Sequence, residues 1–297
     1  MTAVKAARAV CDEAWAMTVL SNRLSRWTLP IFGCALVNFV AAQGLILAGV
    51  TWPARSVSAP GTLAAVHLLV IGWLLLLMLG ALFQFVPVST ARPLVSQSLA
   101  LATLIALEAG LVGMVGGFFA IGAGHPALAM ALPAGGAVVS LGVLIGCWNI
   151  GIPLLRSRPL SLPGRMVLTG MAFLLLTVTL GFSFALAVTV PALAPYLTPR
   201  LAGASEHGRA GLGGWVSLTA MGVSYTLLPM CMLVAKKRGI VGTGAHILGT
   251  VGRFDTGGCS SRAACRARAG PCTTPLRRSA AVDAQVLECE GLGVQVA

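Results

Sequence analysis

The sequence predicts an all-α fold, a polytopic transmembrane helical bundle of about six spanning helices with an internal four-helix repeat. Of its 297 residues 57% are hydrophobic and only 9% are charged, whereas a soluble domain carries roughly 25% charged residues. Six apolar segments reach the ~20 residues that a helix needs to cross ~30 Å of hydrocarbon. None of them alternates with a period of two, as a strand would. A lipid bilayer is therefore the first predicted partner.

The six predicted spans follow one another with short polar connections. In chain order they cover about 30–50, 63–88, 95–121, 127–154, 166–194 and 211–235. Residues 1–29 lack the short apolar core and small-residue cleavage site of a signal peptide. We expect them to form a cytoplasmic N-terminal segment, followed by a first span that acts as a signal anchor. The transmembrane domain is predicted to cover 30–238.

The distribution of positive charge predicts the orientation. With the N-terminus inside, eleven Lys and Arg residues of 1–238 lie on the cytoplasmic side and three lie outside (Arg55, Arg200 and Arg209). Cytoplasmic loops of membrane proteins carry such an excess. The net charge of +12 follows these loops and the tail, not one amphipathic face, so we predict no nucleic-acid partner. We expect an integral protein of a bacterial inner membrane with a cytoplasmic N-terminus.

The last part of the chain, 239–297, has a different composition. It is basic and contains four of the eight Cys residues, in an irregular order such as GCSSRAACRARAGPC. Their spacing matches no common zinc module. Two interpretations compete, a native disordered or metal-binding tail and a tail that results from a reading-frame change. We favour the second, and we expect no stable packing against the helices beyond about residue 240.

An internal repeat relates the second and sixth spans. In both, Gly-Trp is followed by Gly seven residues after the Trp and by Pro seven residues later. Residues at this spacing drift by only ~20° per step and form one stripe along a helix. We predict a packing role for these residues: Gly72, Trp73, Gly80 and Pro87 in the second span, and Gly214, Trp215, Gly222 and Pro229 in the sixth.

Two histidines accompany the repeat and are the candidate metal and cofactor ligands. His67 and His207 precede the two Gly-Trp pairs, so both lie near the outer face in the predicted orientation. A neutral imidazole in an apolar helix suits haem iron or copper. The alternative is an interfacial histidine bonded to water or to a loop carbonyl. Glu108, the acid inside a predicted span, is either a proton relay or a hydrogen-bonded packing group. No catalytic residue is predicted.

The segments VHLLVIGWLLLLMLGALFQFVPV and HGRAGLGGWVSLTAMGVSYTLLPM resemble the haem–copper oxidase subunit I superfamily. The nearest resemblance is to its small, divergent members related to the cbb3-type subunit and to nitric-oxide-response membrane proteins. It covers roughly 30–238 and implies helices arranged in four-helix arcs, with histidines near the outer face. By this resemblance His67 corresponds to a low-spin haem ligand, and the region of His207 to the copper-ligand arc.

The chain also departs from that family. The paired histidines of a seventh helix and the ligands of a tenth have no counterpart, and the repeat aligns His67 with Arg209. The chain therefore resembles a truncated member without independent terminal-oxidase activity. We expect a haem b or copper protein linked to respiration or nitric oxide, with other membrane subunits as partners. The alternatives are a non-redox membrane carrier or assembly factor, or a non-functional truncated product.

Overall fold

The computed structural model describes residues 27–197, 204–232 and 240–251, and every regular element in these ranges is helical. Five helices are long and apolar enough to cross a membrane: α1 (Thr28–Leu47), α2 (Pro60–Thr90), α3 (Gln97–Gly122), α4 (Pro126–Arg156) and α5 (Leu162–Thr189). The predicted all-α polytopic helical bundle is thereby confirmed. Predictions for residues 1–26 and 252–297 lie outside the described residues.

The sixth predicted span is also helical, but it is less apolar than the first five. A short helix, α6 (Ala194–Leu197), precedes it. Then α7 runs without interruption through Ala204–Gly208, Arg209–Val216 and Ser217–Cys231. The predicted start at 211 is too late, because the polar sequence Ser-Glu-His-Gly-Arg adds a helical turn before the apolar part. Its Glu206 and Arg209 form a salt bridge three residues apart, a spacing that stabilises a helix end.

Local sequence explains where the spanning helices begin and end. Ser96 and Ser161 cap α3 and α5, their hydroxyl oxygens accepting hydrogen bonds from the backbone N–H groups of Ser98 and Gly164. Pro occupies the first position of α2 and α4, where its missing N–H costs nothing. Ala91 ends α2 in the left-handed region, with φ 52°. These signals define where the spanning helices begin and end, and only short loops remain between them.

Small residues bring the helices close together. A Cβ added to Gly110 of α3 would lie 2.6 Å from the Val139 nitrogen of α4, and one added to Gly135 of α4 would lie 2.5 Å from the Gly110 oxygen. The two backbones are thus in direct contact, as is common where membrane helices meet through glycine. The outward faces remain apolar: Leu36 and Val37 of α1 are largely exposed, as expected of lipid-facing side chains.

The helices carrying the repeat share an unusual backbone feature. Leu68–Leu75 in α2 and Arg209–Val216 in α7 form π-helical stretches of eight residues each. Each stretch contains the Gly-Trp pair of its helix, Gly72-Trp73 or Gly214-Trp215. Such i→i+5 segments are rare and occur frequently at functional sites. In both helices the π segment lies directly after the histidine region.

Residues 240–251 differ from the irregular chain predicted there. They form a helix, α8 (Ile240–Val251), that contacts α5 and α7. His246 and Thr169 of α5 are hydrogen-bonded, with 3.0 Å between Nε2 and Oγ1. A Cβ on Gly242 would lie 2.8 Å from Leu162, and one on Gly249 would lie 3.0 Å from Leu218. The glycines that lower the intrinsic helix propensity also allow this close approach.

Candidate functional site

The imidazoles of His67 and His207 lie next to each other near one end of the bundle. His67 lies two turns after the start of α2 and His207 lies in the first turn of α7. Their ring centroids are 6.3 Å apart and the ring planes differ by 23°. Both side chains are half-buried. Two residues separated by 140 positions in the chain are thus brought together on the inner faces of two helices.

Backbone carbonyls determine the proton position on both rings. His67 Nδ1 lies 2.8 Å from the Leu63 carbonyl oxygen, and His207 Nδ1 lies 3.0 Å from that of Thr177 in α5. A carbonyl only accepts, so Nδ1 of each ring must carry the hydrogen and donate it. The neutral tautomer then leaves the lone pair on Nε2. Metal-binding histidines usually donate their other N–H in this way, which fixes the ring orientation.

Aromatic rings and one glycine enclose the pair. The centroid of Phe118 in α3 lies 5.1 Å from that of His67, and Phe184 in α5 meets His207 edge-on at 6.3 Å. A Cβ on Gly181 would lie 2.8 Å from His207 Cε1. The imidazole of His207 therefore lies directly against the backbone of α5. This apolar enclosure disfavours a charged imidazolium and favours the neutral ring that a metal binds.

Two imidazoles that share an ion have a characteristic separation of their ring centres when both Nε2 atoms point at the ion. A metal binds an imidazole nitrogen at about 2.0–2.1 Å and the nitrogen lies ~1 Å from its ring centre, so a linear bridge separates the ring centres by about 6 Å. The observed separation is 6.3 Å. Within the described residues no group of three or more His, Cys, Asp and Glu side chains surrounds a point. The pair thus offers two ligands of an ion, not the four that a structural zinc site needs.

Haem iron needs only two protein ligands, because the porphyrin supplies the other four. Two neighbouring neutral imidazoles supply that number of ligands. Trp215, 2% exposed, has a buried indole N–H without a hydrogen-bond partner. It follows His207 by eight residues in α7. A buried donor left unpaired costs free energy, which an acceptor on a bound group would offset.

A planar cavity for a haem beside the histidines would have to open over Gly211 and Gly214 of α7, and the structure has none there. The ring of Phe173 fills the space over Gly214, and Thr177 Cγ2 would lie 3.3 Å from a Cβ on Gly211. Both filling residues belong to α5, which packs along the length of α7. Trp73 does not line the site either, because its ring packs on Phe39 of α1 with centroids 4.9 Å apart. The two glycines therefore allow α5 to pack closely against α7, and the space beside them is filled.

The remaining motif residues also lie at helix contacts. A Cβ on Gly80 would lie 2.8 Å from Phe32 of α1, and one on Gly222 would lie 3.0 Å from Met166 of α5. Pro87 and Pro229 both lie within the last turns of their helices, α2 and α7. Each proline lacks the N–H that would bond the carbonyl four residues earlier, so each helix loses one backbone hydrogen bond near its end.

Gly72 makes room for a polar pair inside the membrane segments. A Cβ there would lie 2.6 Å from Cβ and Cγ of Asn38 in α1. The Asn38 amide donates hydrogen bonds to Glu108 Oε1 of α3 at 2.8 Å and to the Cys34 carbonyl oxygen at 3.0 Å. Glu108, singled out in the sequence as an acid inside a span, therefore has a specific partner on another helix.

Several residues around the histidines carry no signal in the sequence. Thr177, Gly181 and Phe184 come from α5, which the repeat does not include, and Phe118 comes from α3. Only Leu63 was accessible to sequence reasoning, because it lies four residues before His67 on the same helix. Comparison of the chain with protein-family models, with curated proteins and with solved structures finds no match.

Proposed function

We propose that this chain is a haem-binding membrane protein of the haem–copper oxidase subunit I type, with haem b held between His67 and His207. The observation that carries the proposal is the pair of neighbouring, nearly parallel imidazoles, whose ring centroids are 6.3 Å apart. The carbonyls of Leu63 and Thr177 orient both rings and leave both Nε2 atoms as ligands. Copper is the second candidate for the same two nitrogens, since imidazole also suits copper.

The ligand count favours haem over a single ion. Two imidazoles complete the coordination of haem iron, whereas a copper ion would require further ligands or remain two-coordinate. When bound, haem supplies one-electron chemistry. The chain's own part is to hold two neutral rings in one orientation and to exclude water with Phe118 and Phe184. Phe173 and Thr177 would have to turn aside for the macrocycle, whereas a copper ion does not require this.

The similar π-helical stretches after the two histidine regions support the proposed relationship between α2 and α7. In this proposal the chain has no oxygen- or nitric-oxide-reducing activity of its own. Other membrane subunits would then provide the remaining redox centre. We place the protein in respiration or the response to nitric oxide, in a bacterial inner membrane.

The visible spectrum of the protein purified from a haem-producing host tests this proposal. We expect a Soret band with about one haem per chain in the unmodified protein. His67→Ala and His207→Ala should each abolish or shift the band, because each removes one axial nitrogen. Trp73→Phe should retain it, because Trp73 contacts Phe39 and not the histidines. His125→Ala, in the turn between α3 and α4, is the matched histidine control.

Metal analysis of the same samples separates the remaining outcomes. A sample with one copper per chain and no Soret band would point to copper if both histidine variants lose the copper. Copper would then replace haem as the group that the two histidines bind. A spectrum and a metal content unaffected by either histidine variant would refute the site. A Soret band retained in His207→Ala but lost in His67→Ala would restrict the proposal to one axial ligand from this chain.

A non-redox carrier is the second candidate function, favoured by the Asn38–Glu108 hydrogen bond inside the membrane segments. Intramembrane acids often mark ion or proton pathways. The test is uptake of a solute by proteoliposomes in response to a proton gradient. Uptake that Glu108→Gln abolishes and His67→Ala leaves unaffected would favour this function over haem binding.

A further inference from the structure

A recess lies at the end of the bundle opposite to the histidine pair. It has a volume of ≈ 470 Å³ and lies between the α2–α3 loop and the last turns of α4, with the side chains of Arg92, Val95, Trp148, Ile152, Pro153 and Arg156 among its walls. Arg92 follows the C-terminal end of α2, whereas His67 lies near the N-terminal end of the same helix. The two sites are therefore separated by most of the length of a spanning helix.

A smaller, more polar recess adjoins this one, and Arg92 lines both. Its volume is ≈ 200 Å³, and Arg158 and the residues Ser89, Thr90, Ser157 and Ser161 line it. Ser161 caps the long helix α5, whose N-terminal end carries partial positive charge. The two recesses together thus combine a polar part rich in arginine and hydroxyl groups with an apolar part.

The positive charge at these recesses is not neutralised by the described residues. Arg92, Arg156 and Arg158 form no salt bridge there. The acids of the described residues are Glu206, which pairs with Arg209, and Glu108, which is bonded to Asn38. Three exposed guanidinium groups that meet no acid among the described residues make a site for a negatively charged group, and arginine binds phosphate in bidentate fashion.

The loop that carries Arg92 is held in place. Asn149 of α4 is fully buried; its amide oxygen accepts a hydrogen bond from the Ser96 nitrogen at 3.0 Å, and its amide nitrogen donates one to the Ser96 oxygen at 3.0 Å. Leu94, two residues earlier in the loop, is buried. The loop is thereby tied to α4 at Ser96, and the burial of Leu94 holds the residues next to the recess in place.

The apolar part of the recess faces outwards. Trp148 is 62% exposed and lies two turns before the end of α4, with Ile152 one turn further on. Tryptophan is enriched where membrane helices meet the headgroup region. A ligand that places an anionic group on the arginines and an apolar chain along Trp148 and Ile152 must itself be amphipathic.

We propose that these two recesses form a binding site for an anionic phospholipid. The phosphate lies between Arg92, Arg156 and Arg158, and an acyl chain follows Trp148 and Ile152. Basic recesses at the ends of membrane helices bind such headgroups. Charge complementarity excludes a zwitterionic lipid as the preferred occupant, and the exposed apolar wall excludes a water-soluble phosphate compound.

Lipid titration of the full-length protein in neutral detergent, followed by native mass spectrometry, tests this site. The probes are phosphatidylglycerol, phosphatidylcholine and glycerol 3-phosphate. We expect phosphatidylglycerol to bind about tenfold more tightly than phosphatidylcholine. Both lipids carry the same phosphodiester, but only phosphatidylcholine also brings a cationic choline group, which the three arginines repel. Arg92→Gln should weaken phosphatidylglycerol binding about tenfold, and the triple Gln variant at 92, 156 and 158 should remove the preference. Trp148→Ala should weaken the binding of both lipids.

Arg55→Gln is the matched control, because Arg55 is an exposed arginine in the α1–α2 loop at the other end of the bundle. It should leave the preference intact. Equal binding of the two phospholipids by the unmodified protein would overturn the proposal, as would an equal loss in Arg55→Gln. Competition by glycerol 3-phosphate as strong as that of the intact lipid would likewise overturn it, in favour of a soluble phosphate site. If the triple variant does not fold, the comparison of Arg92→Gln with the unmodified protein still tests the site.

Discussion

At the scale of single residues, main-chain atoms orient the two histidines. For His67 the carbonyl of Leu63 is four residues away on the same helix, so any regular helix supplies it. For His207 the carbonyl of Thr177 belongs to α5, and the imidazole can reach it only because Gly181 has no side chain. The orientation of one ring is therefore a local property, and that of the other depends on how α5 and α7 pack.

The Asn38–Glu108 pair permits a prediction at the same scale. Glu108→Gln retains an oxygen that accepts from the Asn38 amide and should leave the free energy of unfolding nearly unchanged. Glu108→Leu removes the acceptor and should cost about 0.6–1.7 kcal/mol, the range measured for hydrogen bonds between membrane helices. Thermal unfolding in detergent, followed by circular dichroism, measures both. A Leu variant as stable as the Gln variant would show that the bond adds nothing to stability.

At the scale of helices, glycine pairs decide which elements touch. Gly110 of α3 and Gly135 of α4 allow contact between their backbones. Gly170 of α5 likewise accommodates Thr219 of α7, with a Cβ there lying 2.5 Å from the threonine hydroxyl. Lipid tails are as apolar as leucine, so burial from lipid does not drive helix association, and close packing has to do so. The glycine positions thus select the helix neighbours that apolar composition alone leaves open.

This argument predicts different effects for two glycines of α3. Gly110→Ala places a methyl group 2.6 Å from the Val139 nitrogen and should destabilise the protein by about 1–3 kcal/mol, the usual cost of overpacking. Gly116→Ala meets nothing within 4 Å and should be neutral or stabilising, since Ala is the better helix former. Melting temperatures in the same detergent compare the two. Equal melting temperatures would contradict a role for Gly110 in the α3–α4 contact.

At the scale of the whole molecule, the two ends of the bundle have different chemistry. The end with the loops 48–59 and 123–125 contains the histidine pair. The opposite end contains Arg92, Arg156 and Arg158. In the orientation predicted from the positive-inside rule, the histidine end faces outwards and the arginine end faces the cytoplasm. The two proposed sites would then lie at opposite surfaces of the membrane.

Cysteine labelling tests this orientation. In a variant without native cysteines, Ser56→Cys in the α1–α2 loop should react with a membrane-impermeant maleimide added to intact spheroplasts. Ser157→Cys in the α4–α5 loop should react only after permeabilisation, because the arginine-rich loops are retained in the cytoplasm. Both variants must label fully in detergent, which serves as the control. The reverse pattern would invert the orientation and place the proposed lipid site in the outer leaflet.

The sequence by itself determined the membrane-spanning helices, because the apolar length of a segment is a local quantity. The histidines and Glu108 were likewise visible in the sequence, as residue types that are costly in a membrane, and the Gly-Trp repeat was visible from its fixed spacing. Helix ends were less accurate, as in α7, where a polar turn with an internal salt bridge extends the helix. The helix Ile240–Val251 was missed, because three glycines lower its propensity and its contacts with α5 and α7 are not local.

Only the tertiary structure decided what surrounds each of these residues. It brought His67 and His207 to 6.3 Å, joined Glu108 to Asn38, turned Trp73 towards Phe39 and filled the space over Gly214 with Phe173. Contacts of this kind depend on the rotation and depth of one helix against another. Apolar segments in lipid leave both undetermined, since every face of such a helix is equally soluble there. They are set by the backbone contacts at glycines and by the few polar groups that must find partners.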